Sequence, residues 1–151
     1  MRVPIRCCVG RVLVHLHGSP KDKSVLAIVK DYESRVRGRG ISVIIHQDKD
    51  RENYEKKLSE TGGILVIMDE RGKQFTSAEL ADWLKSTKLD FEQTNFAVGP
   101  SEGFSEEIKT SSKHLISLSS LTFTHEMAAA LLLEQLYRAT EINRGSPYHR
   151  E

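Results

Sequence analysis

The sequence predicts an α/β domain in which a mostly parallel sheet is flanked by helices. Short runs of apolar and β-branched residues alternate along the chain with longer segments of helical character, and glycine or proline separates many of them. A length of 151 residues suits a single domain with its own core. Hydrophobic residues make up 38% of the chain and charged residues 28%, a balance that argues against disordered and fibrous classes.

Five runs of strand-like sequence define the predicted sheet. They lie at 3–14 (including the exit from the strand, with a loop at 17–20), 41–45, 64–68, 94–98 and 114–118. The run 64–68 is apolar at every position, which predicts burial on both faces and therefore a parallel sheet. The run 41–45 is interpreted as a short buried strand.

Helical segments lie between these strands. The first has apolar residues on one helical face, namely Val25, Val29, Tyr32 and Val36, and Gly38 and Gly40 end it. Residues 51–60 are interpreted as a polar helix with little to bury, and 69–73 as a turn. Thr76 or Ser77 caps the next helix, with Glu79 spaced for a capping box on Thr76.

Two further caps are predicted near the end of the chain. Ser105 caps a short helix, and Thr124 caps the last helix, which extends to about Asn143. Residues 127–133 are apolar on nearly every side, so this helix is expected to be buried, in part by a partner subunit.

The net charge, the cysteines and the N-terminal residues bear on the binding partners and the cellular compartment of the protein. A net charge of +1 does not identify a nucleic-acid binder, so contact with phosphates requires a local cluster of Lys and Arg. Adjacent Cys7 and Cys8 point to opposite faces of a strand, and we interpret them as buried thiols in a reducing compartment. The first residues do not read as a signal peptide, and no stretch is long enough to span a membrane. These features predict a cytoplasmic protein, or an organellar one if a cleaved presequence precedes the sequence given.

Three loops follow the carboxyl ends of predicted strands, at 69–73, 99–103 and 119–124. Ligands bind at this edge of open α/β sheets, and glycines there let a ligand approach the backbone. Taken alone, the Gly99–Gly103 spacing is more often a simple turn. It lacks both the Gly-Lys-Ser/Thr ending of a phosphate loop and the spacing of a Rossmann dinucleotide site.

The C-terminal strings carry more information. They are Val98-Gly99-x-x-Glu102-Gly103-Phe104-Ser105, Ser117-Leu118-Ser119-x-Leu121-Thr122-Phe123-x-His125, Leu132-Leu133-Glu134-Gln135-Leu136-Tyr137-Arg138-Ala139 and Pro147-Tyr148-His149-Arg150. In this order and spacing they resemble the RlmH family of 23S ribosomal RNA methyltransferases, small members of the SPOUT class. The resemblance is strong from about Ile64 onward, and before that only the order of elements agrees.

The resemblance implies a SPOUT-type α/β knot: one domain over 1–151, with a deep C-terminal trefoil knot and a cofactor-binding part at about 64–151. It implies a homodimer whose partner subunit completes the active site. The implied reaction is methyl transfer from S-adenosylmethionine to N3 of a pseudouridine on the assembled ribosome, with no metal and no membrane. The implied cofactor contacts are Met68, Gly99, Leu118, Ser119, Ser120, Leu121, Thr122 and Phe123.

Several residues are candidates for proton transfer and for RNA binding. The candidates for a general base are Glu102, His125 and His149, and His125 is equally well explained as a packed residue at a helix N-terminus. The RNA-binding candidates are Arg138, Arg144, His149 and Arg150, although Arg138 also has Glu134 one turn earlier as a partner. Arg35, Arg37 and Arg39 form a second basic cluster, for which a solvated helix end is an equally good interpretation.

The chain departs from the family pattern at three positions. Pro100 replaces the second of two glycines, Thr124 replaces a proline, and Ala129 replaces an arginine on the last helix. The loss of the arginine leaves open a second hypothesis, a degenerate SPOUT-fold protein that binds RNA or ribosomes without methyl transfer. A third is a metabolite-binding α/β domain of unrelated function.

Overall fold

A five-stranded, all-parallel sheet in the order β2-β1-β4-β3-β5 forms the centre of the molecule. A computed structural model describes residues 11–89 and 92–150. The elements are β1 Val12–His17, α1 Lys23–Arg37, β2 Ile41–His46, α2 Arg51–Glu60, β3 Ile64–Gln74, α3 Ser77–Leu89, β4 Thr94–Ala97, α4 Glu106–Ser111, β5 His114–Ser117 and α5 His125–Asn143. The prediction of an α/β domain with a parallel sheet flanked by helices is confirmed.

Helices cover both faces of the sheet. On one face, buried strand residues such as Val14 and Phe96 belong to the main core cluster, together with residues of α1, α3 and α5. On the other face, Ile67 and Ala97 pack with residues of α2 and α4. Because neighbouring positions on a strand point to opposite faces, β3 and β4 contribute to both cores.

The predicted helix caps are present. The side chain of Ser105 accepts the backbone N–H of Ile108 in α4, and that of Thr124 accepts the N–H of Met127 in α5. Glu79 and Thr76 satisfy each other's backbone N–H groups, with distances of 2.8 and 3.0 Å, as a capping box requires. The predicted helix ends at Gly38 and at about Asn143 also agree with the structure.

The first strand lies later in the chain than predicted. Residues 3–10, with Cys7 and Cys8, lie outside the described residues, and β1 continues to His17, where a loop was expected. The reason is its pairing: β1 follows β2 in register from Val12↔Ile41 to His17↔His46, which extends the strand through His15, Leu16 and His17. These pairings are tertiary and leave no local signal.

Three other predictions need correction. The segment 69–73 is not a separate turn: β3 continues to Gln74, and its register with β5 shifts between Met68 and Lys73. β2 is an edge strand whose Ile41 is buried but whose Ile44 is 36% exposed, so it is not buried throughout. α2 does have residues to bury, since Tyr54 and Leu58 are at most 1% exposed.

The last helix lies against the sheet but is not covered on all sides. Ala129, Ala130, Leu132 and Leu133 are buried, whereas Met127 is 40% exposed. Within the described ranges, no helix combines the length and apolar character that crossing a membrane requires. The trefoil knot implied by the resemblance remains a prediction.

Candidate functional site

A cavity of about 860 Å³ opens at the carboxyl edge of the sheet. Its walls are the part of β3 at 68–70, the loops after β4 and β5 and the first turn of α5, with two residues from α1 and its cap. The lining residues are Asp22, Val25, Met68, Asp69, Glu70, Val98, Gly99, Pro100, Ser101, Glu102, Gly103, Phe104, Leu118, Ser119, Leu121, Thr122, Phe123, Thr124, His125, Glu126, Met127 and Ala128. The three loops singled out in the sequence thus meet at one place.

Seven of the eight predicted cofactor contacts line this cavity, and only Ser120 does not. Met68, Leu118 and Phe123 provide partly buried apolar wall. Leu121 is 68% exposed at the rim, the highest exposure among the large apolar side chains that the structure describes. The apolar walls and open backbone of the cavity are typical of a small-molecule site.

Gly99 forms the tightest part of the wall. A Cβ built on Gly99 would lie 3.1 Å from two ring carbons of Phe104. That ring is 7% exposed and is stacked near Tyr54, with 6.0 Å between centroids. Phe104 therefore has little room to move aside, and glycine keeps this part of the wall open.

Hydrogen bonds from helix α2 hold the loop that contains Gly99 in place. The Tyr54 hydroxyl donates toward the Val98 carbonyl at 2.6 Å and also lies 3.1 Å from the His15 carbonyl. Glu55 accepts from both the backbone N–H and the hydroxyl of Ser105, at 2.8 and 2.6 Å. Because Tyr54 and Glu55 hold the two ends of this loop, its shape depends on α2. In the sequence, Tyr54 and Leu58 are about one helical turn apart, which indicates a short apolar face on α2. This pattern does not reveal that α2 holds the Gly99 loop.

Glu126 stabilises a second part of the cavity rim through hydrogen bonds. Its carboxylate accepts the backbone N–H groups of Lys21 and Asp22 at 2.9 and 3.3 Å, which ties the start of α1 to the first turn of α5. The Lys21 N–H, followed by that of Asp22, holds the pKa of Glu126 below its usual range and keeps it ionised. Asp22 in turn caps α1 by accepting from Ser24 and Val25.

Strand β3 carries two more carboxylates, with different environments, where its register with β5 shifts. Asp69 lies 3.1 Å from the Lys109 ammonium and 3.6 Å from the Arg71 guanidinium, so its charge is compensated. Glu70 accepts a short hydrogen bond from the Thr122 hydroxyl. This bond joins β3 to the loop after β5, and Glu70 forms no ion pair with any residue that the structure describes.

The three candidate bases lie in two places. Glu102 and His125 line the cavity, Glu102 on an exposed turn and His125 at the first position of α5. His149 does not reach it: its Nδ1 lies 3.2 Å from the Arg138 guanidinium near the other end of α5.

The predicted RNA contacts also lie away from the cavity. Arg138 forms the expected ion pair with Glu134 at 2.7 Å and stacks on Tyr148, while Arg144 lies 3.5 Å from Glu141. Arg150 is exposed. Arg138 follows His125 by 13 positions on α5, which is about 20 Å along the helix axis, and none of these arginines lines the cavity.

The second basic cluster is paired within the chain. Arg35 pairs with Asp31 at 3.2 Å, Arg37 with Glu33 at 3.8 Å, and Arg39 with Glu141 at 2.5 Å. The interpretation as a solvated helix end fits these contacts better than a phosphate-binding cluster does.

A buried histidine pair lies beneath the Gly99 loop, and sequence reasoning missed it. Asn95 Nδ2 donates to two carbonyls, so its Oδ1 faces His15 Nε2 at 2.9 Å, and His15 carries a proton there. His15 Nδ1 then accepts from His46 Nε2 at 2.9 Å. Burial lowers the pKa of both imidazoles, and the proximity of His15 lowers that of His46 further. The two histidines are 31 residues apart, so only the strand register reveals the pair.

Ala129 is buried at 2% exposure next to the cavity. Together with Gly99 and His125 it borders a void of about 10 Å³, which has no room for a guanidinium. In the described part of the chain, no group of three or more His, Cys, Asp or Glu side chains is arranged to hold a metal ion.

Known proteins resemble this chain in sequence. A family model described as "Predicted SPOUT methyltransferase" matches residues 11–149. A protein from Prochlorococcus marinus named "Ribosomal RNA large subunit methyltransferase H" is 43% identical over 80% of this chain and 82% of its own length. A protein of the same name from Neisseria gonorrhoeae is 37% identical over 82% of this chain and 78% of its own.

Solved structures share the fold at low sequence identity. A probable methylase family protein from Haemophilus influenzae Rd KW20 matches with a TM-score of 0.55 and 13% identity, over 89% of this chain and 66% of that one. The SpoU methyltransferase AviRb from Streptomyces viridochromogenes, solved in complex with the cofactor AdoMet, matches with a TM-score of 0.50 and 14% identity, over 96% and 62%. At these identities the likeness shows the fold alone.

Proposed function

The chain belongs to the SPOUT methyltransferase family, and we propose on that basis that it transfers a methyl group from S-adenosylmethionine (AdoMet) to large-subunit ribosomal RNA. The names of relatives at 36–44% identity support this substrate. We further propose N3 of a pseudouridine as the acceptor, the assembled ribosome as the substrate, and the cytoplasm as the site of action. The whole chain acts as one domain, with the knotted cofactor-binding part at about 64–151.

The cavity at the carboxyl edge is the observation that carries this proposal. Its volume of about 860 Å³ and its apolar walls suit a nucleoside, with Leu118 and Phe123 placed to contact an adenine ring. Gly99 keeps the wall open, so backbone groups beside it are accessible to ligand atoms. Met68 and the loop 118–123 complete the proposed cofactor contacts.

When bound, the cofactor supplies a methyl group on a positively charged sulfonium. The chain's own task is to hold an acceptor nitrogen in line with that methyl group, since positioning is the main requirement of an in-line displacement. The acceptor must also lose a proton. Glu102 and His125 line the cavity and are the candidates for receiving it, directly or through water.

The position of the C-terminal tail supports a homodimer. His149 contacts Arg138, which is about 20 Å along α5 from His125 in the cavity wall, and neither His149 nor Arg150 lines the cavity of its own chain. In the proposed dimer, these residues and Arg138 and Arg144 of one protomer act at the RNA beside the cavity of its partner. The exposed apolar side chains of Leu121 and Met127, at 68% and 40%, suit burial against a second protomer.

Two measurements test this function. Calorimetry with AdoMet tests the cavity, and absence of binding at millimolar ligand would contradict the proposal. Transfer of labelled methyl from AdoMet to ribosomes that lack the modification tests the reaction, with the product nucleoside identified by mass. We expect a methylated pseudouridine.

Ala129 supports a second candidate, a SPOUT-fold protein that binds ribosomes without methylating them. A small, buried residue stands where the resembling family has an arginine, and the adjoining void cannot hold a guanidinium. Under this candidate, ribosome binding is retained and labelled methyl is not transferred. The two outcomes are distinguished in the same experiment.

A further inference from the structure

The charge of the cavity wall suggests how the site distinguishes its ligands. The described residues that line the cavity include five carboxylates and no lysine or arginine. The carboxylates are Asp22, Asp69, Glu70, Glu102 and Glu126. Such a wall attracts cations and repels anions, and its effect is strongest where no counter-ion is present.

The five carboxylates are not equally free. Asp69 is compensated by Lys109 and Arg71, and Asp22 and Glu126 accept backbone N–H groups near helix N-termini. Among the described residues, Glu70 has only the neutral hydroxyl of Thr122 as a partner, and Glu102 forms no ion pair. Glu70 and Glu102 are therefore the two carboxylates whose charge is most available to a ligand.

We propose that these carboxylates, Glu70 and Glu102 foremost, make the cavity prefer AdoMet over its demethylated product S-adenosylhomocysteine. This inference rests on the proposed function and names the ligand property that the site selects. AdoMet carries an ammonium, a carboxylate and a sulfonium, and so has a net charge of +1, whereas the product is a neutral thioether zwitterion. The adenosine and amino-acid parts of the two ligands are the same.

The change of charge during methyl transfer shows why a preference for AdoMet over the product matters. The acceptor nitrogen's electron pair forms the new N–C bond, the S–C bond pair returns to sulfur, and the nitrogen's proton leaves to a base or to water. The sulfur loses its positive charge in this step. A wall of carboxylates therefore weakens its hold on the ligand as the reaction proceeds, which favours product release.

The expected size of the effect follows from Coulomb's law. For one carboxylate at about 8 Å from the sulfonium, with the effective dielectric constant of a partly open site, the difference in affinity is about twofold to fivefold. It decreases with added salt, because the ions screen exposed charges.

Calorimetry on the full chain at pH 7.5 and low salt tests the proposal with three ligands. They are AdoMet, S-adenosylhomocysteine and an analogue in which an amine-bearing carbon replaces the methylsulfonium. We expect AdoMet to bind at least fivefold more tightly than S-adenosylhomocysteine, and the cationic analogue to follow AdoMet. The preference for AdoMet should decrease when the salt concentration is raised to about 0.5 M, because the screening length there is well below the roughly 10 Å that holds at about 0.1 M.

Glu70→Gln removes one charge while keeping size and a hydrogen-bonding group for Thr122. We expect it to reduce the preference by about twofold to fivefold, through weaker AdoMet binding with S-adenosylhomocysteine binding little changed. Glu102→Gln, on an exposed turn, gives an independent second variant if the first fails to fold. The matched control is Glu60→Gln, which removes the same charge at the end of α2, at the opposite edge of the sheet, and should leave the preference unchanged.

The outcomes separate this inference from the proposed function. If both ligands bind but the neutral product binds as tightly as AdoMet, or if neither glutamine variant alters the ratio, the charge preference is wrong and the cofactor site stands. If no ligand binds to the wild-type chain, the proposed function itself is wrong and the inference is overturned with it.

Discussion

Gly99 lies where the backbone leaves β4 and enters the cavity wall. We expect Gly99→Val to weaken AdoMet binding more than tenfold, because a branched side chain has no room beside the Phe104 ring 3.1 Å from the Cβ position and must occupy the cavity instead. Calorimetry measures the loss. Gly38→Val is the control, since a Cβ there meets nothing within 4 Å. Unchanged affinity in Gly99→Val would show that the cofactor is bound elsewhere.

The His15–His46 pair makes stability depend on pH. Burial lowers the pKa of His15 in the folded chain, so the unfolded chain binds its proton first on acidification. Stability is therefore fully present above about pH 6.5, the ordinary histidine value, and is lost as the pH falls toward the lowered one. The slope is at most about 1.4 kcal/mol per pH unit for each extra proton that the unfolded chain binds.

Urea unfolding between pH 5.5 and 7.5 measures this slope. His15→Gln keeps a side chain that can hydrogen-bond to Asn95 but does not titrate, so the free energy of unfolding should become less dependent on pH in this interval. A slope equal to that of the wild-type chain would exclude His15 as its source.

At the scale of elements, α2 has a larger role than its polar sequence indicates. We expect Tyr54→Phe to lower AdoMet affinity about threefold to tenfold, because the Val98 carbonyl loses its 2.6 Å hydrogen bond and the Gly99 loop loses an anchor. Glu55→Ala should act in the same direction through Ser105. Calorimetry and thermal unfolding together distinguish a positioning role from general destabilisation.

Lys56→Ala is the control for these two changes, since Lys56 lies exposed on the same helix and should leave AdoMet affinity unaltered. A purely structural role for Tyr54 would lower the unfolding temperature and leave the affinity at that of the wild-type chain.

The elements also show what sequence reasoning reaches and where it stops. Local signals were sufficient for the helix caps at Ser105 and Thr124, because a cap depends on residues within one turn. The charged run 69–73 suggested a turn, whereas β3 resumes its pairing with β5 at Lys73 after a register shift, and no local pattern encodes that pairing. The cofactor loops were found through a family resemblance, since their glycines alone do not distinguish a site from a turn.

The residues that hold the cavity wall in place could not be predicted from local sequence either. Tyr54 and Glu55 reach Val98 and Ser105 across 44 and 50 residues of chain. Their role depends on how the helices pack on the sheet, which the sequence specifies only through the complete fold.

At the scale of the whole molecule, the cavity lies at the N-terminal end of α5, whereas the C-terminal tail packs against the middle and the C-terminal half of that helix. Tyr148 is held there by the Glu134 carboxylate at 2.9 Å and by edge-on contact with Tyr137. No described residue of the tail lines the cavity of its own chain. In the proposed dimer the tail serves RNA at the site of the partner, which predicts that cofactor binding and RNA methylation respond differently to its loss.

Deletion of residues 148–151 tests this separation. We expect AdoMet affinity to stay within about twofold of the wild-type value, because no tail residue lines the cavity. Methyl transfer to unmodified ribosomes should fall more than tenfold, since a phosphate-contacting group and a candidate base are lost together. Removing Glu151 alone is the control. Equal loss of affinity and transfer would contradict a role of the tail in RNA methylation, because a group that acts on RNA has no reason to weaken a distant cofactor site.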